Sequence, residues 1–185
     1  MVRLVSALLA SAGLACGFQQ TGLQKDAYDI YSLLFTNTQT SHGADNNPVY
    51  LIADTTVPGT PAEPCVAPPA DWKEKFAEVM ADFARRKDER TRLVRQFNIA
   101  KPYRLVDNAE ARRALSLSLS AHEETYWFSV GNVYFDRGRT IALTYLSSVC
   151  GGLCGTFRWR VFVRDPAGRW SDRSSWVNCV TMASK

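Results

Sequence analysis

The chain predicts an α+β fold in which N-terminal helices pack on a C-terminal antiparallel β-meander of three to four strands. Three observations carry that expectation. Residues 71–86 place Trp72, Phe76, Val79, Met80 and Phe83 at helical spacing, which gives one apolar face. Residues 127–135, 139–148 and 157–164 are rich in β-branched and aromatic residues and alternate in polarity, as half-buried strands do. Helices first and strands last is the order of an α+β domain with its helices on one face of the sheet. At 185 residues the chain suits a single domain, large enough to bury about 70% of its unfolded surface.

Residues 1–15 read as a signal peptide. Arg3 supplies the positive start, residues 4–14 form an apolar run, and Gly13-Leu14-Ala15 is a small-x-small cleavage signal. The run is too short to cross a membrane as a helix. Cleavage after Ala15 would leave Cys16 first. Leu14-Ala15-Cys16-Gly17 resembles a bacterial lipoprotein cleavage box, although Gly13 stands where a leucine is usual. Two outcomes stay open: a lipid at Cys16, giving membrane-surface contact without a span, or ordinary secretion. Residues 16–25 then form a tether, and residues 26–185 a single α+β domain.

Within that domain, residues 26–36 predict a helix with Asp26 as its cap. Residues 37–48 are a polar loop and 49–56 a strand. Residues 57–70 hold five of the eight prolines and Cys65, which predicts an extended linker. The helix over 71–86 starts with Asp71 and Glu74 at capping-box spacing. The run from Arg85 to Arg90 is a solvated, mixed-charge face. Leu93, Val94 and Phe97 return to the core before Pro102, which ends any helix. Residues 103–106 read as a short strand and 108–115 as a short helix, while 116–120 fit neither pattern. Asp136-Arg137-Gly138-Arg139, a cysteine loop and Asp165-Pro166-Ala167-Gly168 are the turns of the meander. Residues 174–181 would add its fourth strand.

Five cysteines are present: Cys16, Cys65, Cys150, Cys154 and Cys179. With Cys16 set aside, four remain in a chain read as exported, periplasmic, envelope-anchored or secreted. Two disulfides are expected, and three connectivities are open. The preferred one joins Cys150 with Cys154 and Cys65 with Cys179. Strand partners at a non-hydrogen-bonded position lie about 4.5 Å apart, within disulfide range. The short bridge would contribute about 2 kcal/mol and the long one about 5 in the loop-entropy view.

No reaction is written in the residues. Cys150 and Cys154 could exchange with a substrate disulfide, but thiol oxidoreductases place Cys-x-x-Cys at a helix N-terminus, and this pair is spaced wider, in a hairpin. No paired cysteine sets predict a metal site. His42 and His122 stand apart in the sequence. No Gly-x-Ser-x-Gly elbow marks a hydrolase, and no cofactor fingerprint occurs. Arg158, Arg160 and Arg164 alternate onto one strand face opposite Trp159, Val161 and Val163, a candidate anion-binding face; the plainer reading is the charged face of an edge strand. The net charge of +4 is too mild to indicate nucleic acid.

Residues 128–136, 140–145 and the loop Cys150-Gly151-Gly152-Leu153-Cys154-Gly155 together carry a likeness. They resemble exported bacterial proteins that share a V-x-F-[ND]…T-x-A-L-x-Y strand pair, a C-G-x-L-C-G loop and a G-x-W turn, here Gly168-Arg169-Trp170. Those proteins have no assigned activity. The resemblance covers the second half to two-thirds of the chain and implies export and a shared α+β fold. Cys65, Cys179 and Phe157-Arg158-Trp159 depart from the shared pattern. The expectation is therefore a non-catalytic exported domain with a binding or envelope-related role, its ligand and partners unspecified. The alternative is an exported enzyme, a hydrolase or a thiol-disulfide exchanger through Cys150 and Cys154.

Overall fold

Along the central strands even- and odd-numbered residues are both apolar, so both faces of the sheet need a cover. The computed structural model describes residues 12–36, 49–58, 63–121, 126–150, 154–178 and 181–183. In chain order it has α1 (Ala12–Thr36), β1 (Tyr50–Ala53), a 3-10 turn (Ala70–Trp72), α2 (Lys73–Arg86), β2 (Tyr103–Val106), α3 (Asn108–Ala121), β3 (Tyr126–Val130), β4 (Tyr134–Phe135), β5 (Ile141–Cys150), β6 (Cys154–Arg164), β7 (Trp170–Asp172), a second 3-10 turn (Ser174–Trp176) and β8 (Thr181–Ala183).

The class is α+β, but the sheet is mixed and larger than a meander of three to four strands. Among the described residues it has eight strands in the order β2-β1-β3-β5-β6-β7, with β4 on β5 and β8 on β6. The antiparallel part, β3-β5-β6-β7, is extended by β1, which runs parallel to both β2 and β3. Parallel neighbours need a crossover segment; α2 lies in the β1–β2 connection and α3 in the β2–β3 connection.

Helices therefore cover both faces. One face carries Tyr50, Ile52, Phe128, Val130, Ala142, Leu146 and Phe162 under Ile30, Tyr31, Leu34 and Phe35 of α1. The other carries Ile141, Leu143, Tyr145, Trp159, Val161 and Val163 under Phe76, Val79 and Phe83 of α2. On that second face Leu51, Val106 and Trp127 meet Ala111 and Ala114 of α3. Each face gains the directional contacts of tilted and edge-to-face rings, such as Phe83 with Trp159 at 5.7 Å and Phe35 with Phe128 at 5.5 Å.

Several local expectations are corrected. The strand over 127–135 is split: β3 pairs with Leu146–Cys150 and β4 with Ala142–Leu143 along the same edge of β5. Gly131, Asn132 and Val133 break it. A Cβ on Gly131 would stand 2.3 Å from the Tyr145 ring, so glycine alone lets the ring lie against the backbone. The freed Gly131 carbonyl accepts from Tyr31 Oη at 3.0 Å and Thr144 Oγ1 at 3.1 Å. The Asn132 amide donates to Glu89 O and its oxygen accepts from Thr56 Oγ1, both at 2.9 Å. Residues 174–181 are not one strand: Ser174–Trp176 is a 3-10 turn, and β7 and β8 flank it on β6.

The segment expected as a tether, 16–25, is helical within α1. It contains no proline, and a helix nucleated on the packed turns that follow extends at little cost. Asp26 is accordingly not a cap. Asp71 makes no side-chain cap and sits inside the 3-10 turn before α2. The cap that sequence reading missed is Asp107, whose Oδ1 accepts from Glu110 N at 2.7 Å, and α3 continues through 116–120. Part of the expected linker is a docked strap: Ala67 N donates to Trp176 O, Asn178 N to Cys65 O, and Val66 bridges Val177.

Residues 87–102 have almost no regular structure, yet Leu93 and Phe97 are buried while Val94 is 42% exposed. Buried amides must be paired, and hydroxyls on neighbouring elements do it. Val94 N donates to Tyr28 Oη at 2.7 Å, Asn98 N to Ser32 Oγ at 2.8 Å, Phe97 N to Tyr103 Oη at 3.1 Å and Thr91 N to Thr56 Oγ1 at 2.8 Å.

Candidate functional site

The solvent-facing side of α2 and the β4–β5 turn enclose an open groove of about 850 Å³. Its floor is small and apolar: Ala77 and Ala81, one helical turn apart, and Phe135. Its walls carry Glu78, Asp82, Arg85 and Arg86 from α2, and Asp136, Arg137 and Arg139 from the turn.

Asp82 and Asp136 are turned inward onto donors of the fold, and Glu78 meets the β4–β5 turn nearer the surface. Asp82 Oδ2 accepts from Phe135 N and Arg86 Nη1, both at 3.1 Å, and Oδ1 pairs with Arg85. Asp136 Oδ1 accepts from Thr140 N at 2.6 Å and Ile141 N at 2.8 Å, and Oδ2 from Thr140 Oγ1 at 2.8 Å. That arrangement closes the turn through an aspartate side chain. Glu78 Oε2 accepts from Arg137 N at 3.0 Å.

The guanidiniums divide by depth. Arg86 bonds Asp82, donates from Nε to Glu89 at 2.9 Å, and lies over the Tyr134 ring at 5.9 Å. Burial alone would lower the Arg86 pKa, but the bonds to Glu89 and Asp82 outweigh it and hold it above its ordinary value. Beneath it, burial pushes the Tyr134 hydroxyl up to about 12, against the opposing pull of Arg86. Arg85 and Arg137 instead reach solvent, with side chains 73% and 89% exposed, while Asp82 is 10% exposed. The groove therefore shows the heads of Arg85 and Arg137 to water and sinks Asp82 and Asp136, while Glu78 stays 37% exposed with Arg137 Nε 3.8 Å away. Guanidinium forks match phosphate and carboxylate oxygens bidentately. Among the described residues that line it, none carries a hydroxyl, thiol or imidazole side chain.

Arg139 links the groove to α1. Its Nη1 lies 3.2 Å from Asp26 Oδ2, and Arg164 Nη2 lies 3.5 Å from Asp26 Oδ1. Asp26 is 4% exposed, so a buried carboxylate is held between two turns of the sheet.

The arginines singled out in the sequence do not form an open anion face. Arg158 is exposed. Arg160 pairs with Asp172, and its buried Nε has no hydrogen-bond partner. Arg164 is engaged by Asp26, donates from Nε to Gly168 O at 3.0 Å, and covers the Trp170 ring at 5.6 Å. Of the cysteines, Cys65 is disulfide-bonded. Cys150 and Cys154 are direct Cα partners of β5 and β6, and Cys16 lies in α1. Cys179, His42 and His122 lie outside the described residues. The groove arginines were legible only as a solvated run and a turn; the signal for them is an arginine at the end of a turn that glycine would suit.

Among the described residues no cluster of His, Cys, Asp and Glu could hold a metal ion, and no helix is long and apolar enough to cross a membrane. Compared with known proteins, the chain matches no family, no curated protein and no solved structure.

Proposed function

We propose that the protein is an exported, non-catalytic domain with a binding role at the bacterial envelope, and that the groove between α2 and the β4–β5 turn receives an anion bearing phosphate or carboxylate oxygens. The observation that carries the reading is the segregation of charge in the groove: Arg85 and Arg137 project into solvent, while Asp82 is withdrawn onto backbone and arginine donors. The volume suits a small ligand. In this reading Cys16 bears a lipid or becomes the first residue of a secreted chain. The Cys65 disulfide supports an oxidising compartment. The strap that sets Cys65 and Val66 against Val177 and Asn178 supports pairing with Cys179, and the β5–β6 register supports Cys150 with Cys154.

Calorimetric titration with pyrophosphate and with citrate at low salt tests the groove. Saturable binding is expected, weakening with ionic strength and abolished in Arg85→Ala/Arg137→Ala. Both side chains are exposed, so the variant should fold within about 0.5 kcal/mol of wild type. No binding, or equal binding in the double variant, would reject the assignment.

A further inference from the structure

Arg139 is held in place by two unusual accommodations. Its φ is 52°, in the left-handed region that favours glycine. α1 passes beside it at Gly22, where a Cβ would stand 2.9 Å from Nη1. A glycine at position 139 would close the turn without strain, but Asp26 would then keep only Arg164, at 3.5 Å. Arg139 is among the residues that line the groove, and its side chain stays 37% exposed while it holds Asp26. One residue thus serves the buried acid of α1 and the wall of the groove together.

We infer that Asp26 is an internal competitor for the groove's anion: the ligand and the Asp26 carboxylate share Arg139, and occupancy of the groove weakens the hold of the sheet on α1. The inference rests on the groove being an anion site. A guanidinium has donors enough for two anions, but two carboxylate-like charges about one head repel, and each lowers the other's hold. The coupling is reciprocal: removing the Asp26 charge tightens ligand binding by the factor with which ligand loosens Asp26. Arg164 keeps Asp26 partly neutralised when Arg139 turns to the ligand. α1 also carries Cys16, so a lipid there would place the anchor on the helix that senses occupancy.

Pyrophosphate affinity is measured by calorimetry for wild type, Asp26→Asn, Arg139→Ala and the double variant. Asp26→Asn is expected to bind roughly fivefold tighter or more, Arg139→Ala weaker, and Asp26→Asn to change nothing in the Arg139→Ala background. Wild-type binding with unchanged or weaker binding in Asp26→Asn overturns the inference and leaves the groove assignment standing. No binding in any of the four overturns both. Should Asp26→Asn fail to fold, hydrogen exchange of wild-type amides over residues 22–30 decides. Faster exchange with pyrophosphate is expected, and unchanged or slower exchange contradicts competition.

Discussion

Replacing Gly131 by alanine tests the reasoning about the broken strand. The new Cβ would lie 2.3 Å from Tyr145 Cε1 and 2.4 Å from Cδ1, closer than real carbon contacts allow. Neither side yields easily. The Tyr145 ring is 3% exposed, packs on Trp159 at 5.5 Å, and donates from Oη to Val57 O at 2.9 Å. The Gly131 backbone is fixed by its amide on Tyr145 O at 3.1 Å and by two hydroxyls on its carbonyl. Overpacking of this kind costs about 1–3 kcal/mol, and a displaced Tyr145 hydroxyl adds about 1. Gly131→Ala should then lose roughly 2–4 kcal/mol, lowering Tm by about 10 °C. Urea unfolding reads this as a lower midpoint at unchanged slope. Tyr145→Val removes the obstructing ring, so Gly131→Ala in that background should be milder by at least about 1.5 kcal/mol. A single variant within about 0.5 kcal/mol of wild type, or the same loss in both backgrounds, refutes the account.

The hairpin turn gives a second expectation. Asp136→Ala removes three hydrogen bonds and strands the amides of Thr140 and Ile141, a loss of about 2–4 kcal/mol by thermal or urea unfolding. Asp136→Asn keeps an acceptor and should lose less; equal loss in both would show that the carboxylate oxygens are not what closes the turn. A third concerns alkali. Burial raises the phenol pKa of Tyr28, Tyr31, Tyr134 and Tyr145, that of Tyr134 to about 12. Their unfolded pKa is near 10, so above that pH the unfolded chain binds fewer protons than the folded one and stability falls. Each group contributes about 1.4 kcal/mol per pH unit until its folded pKa is reached. Absorbance at phenolate wavelengths should show these ionisations arriving together with loss of circular dichroism. Ionisation of all seven tyrosines near pH 10 in a folded protein would contradict it.

What was legible in the residues was local. The α2 stripe folds as spaced, with Phe76, Val79 and Phe83 buried, and the antiparallel strands form where the β-branched and aromatic runs lie, although β5 is buried on both faces where alternation predicted one. The parallel strands were visible as short apolar runs, but parallel pairing leaves no turn between partners and so no local mark. With β1 and β2 outside the expected sheet, the helices were assigned to one face. Asp26 has the composition of a cap, and its real partner Arg139 stands 113 residues along the chain. Within residues 128–136 and 140–145, part of the stretch whose pattern is compared above with exported bacterial proteins, several residues have folding roles: Gly131 admits Tyr145, Asn132 ties two loops, and Asp136 closes the hairpin. The groove needed two elements to meet, α2 and a turn 50 residues later, and each alone is an ordinary charged surface.

The assignment of the groove is tested most directly by following arginine Nε–Hε resonances during titration with pyrophosphate. Signals of Arg85, Arg137 and Arg139 should move along one saturable curve, while those of Arg158 and Arg160 stay still. Shifts confined to Arg158 and Arg160, or no shift at saturating pyrophosphate, would contradict it.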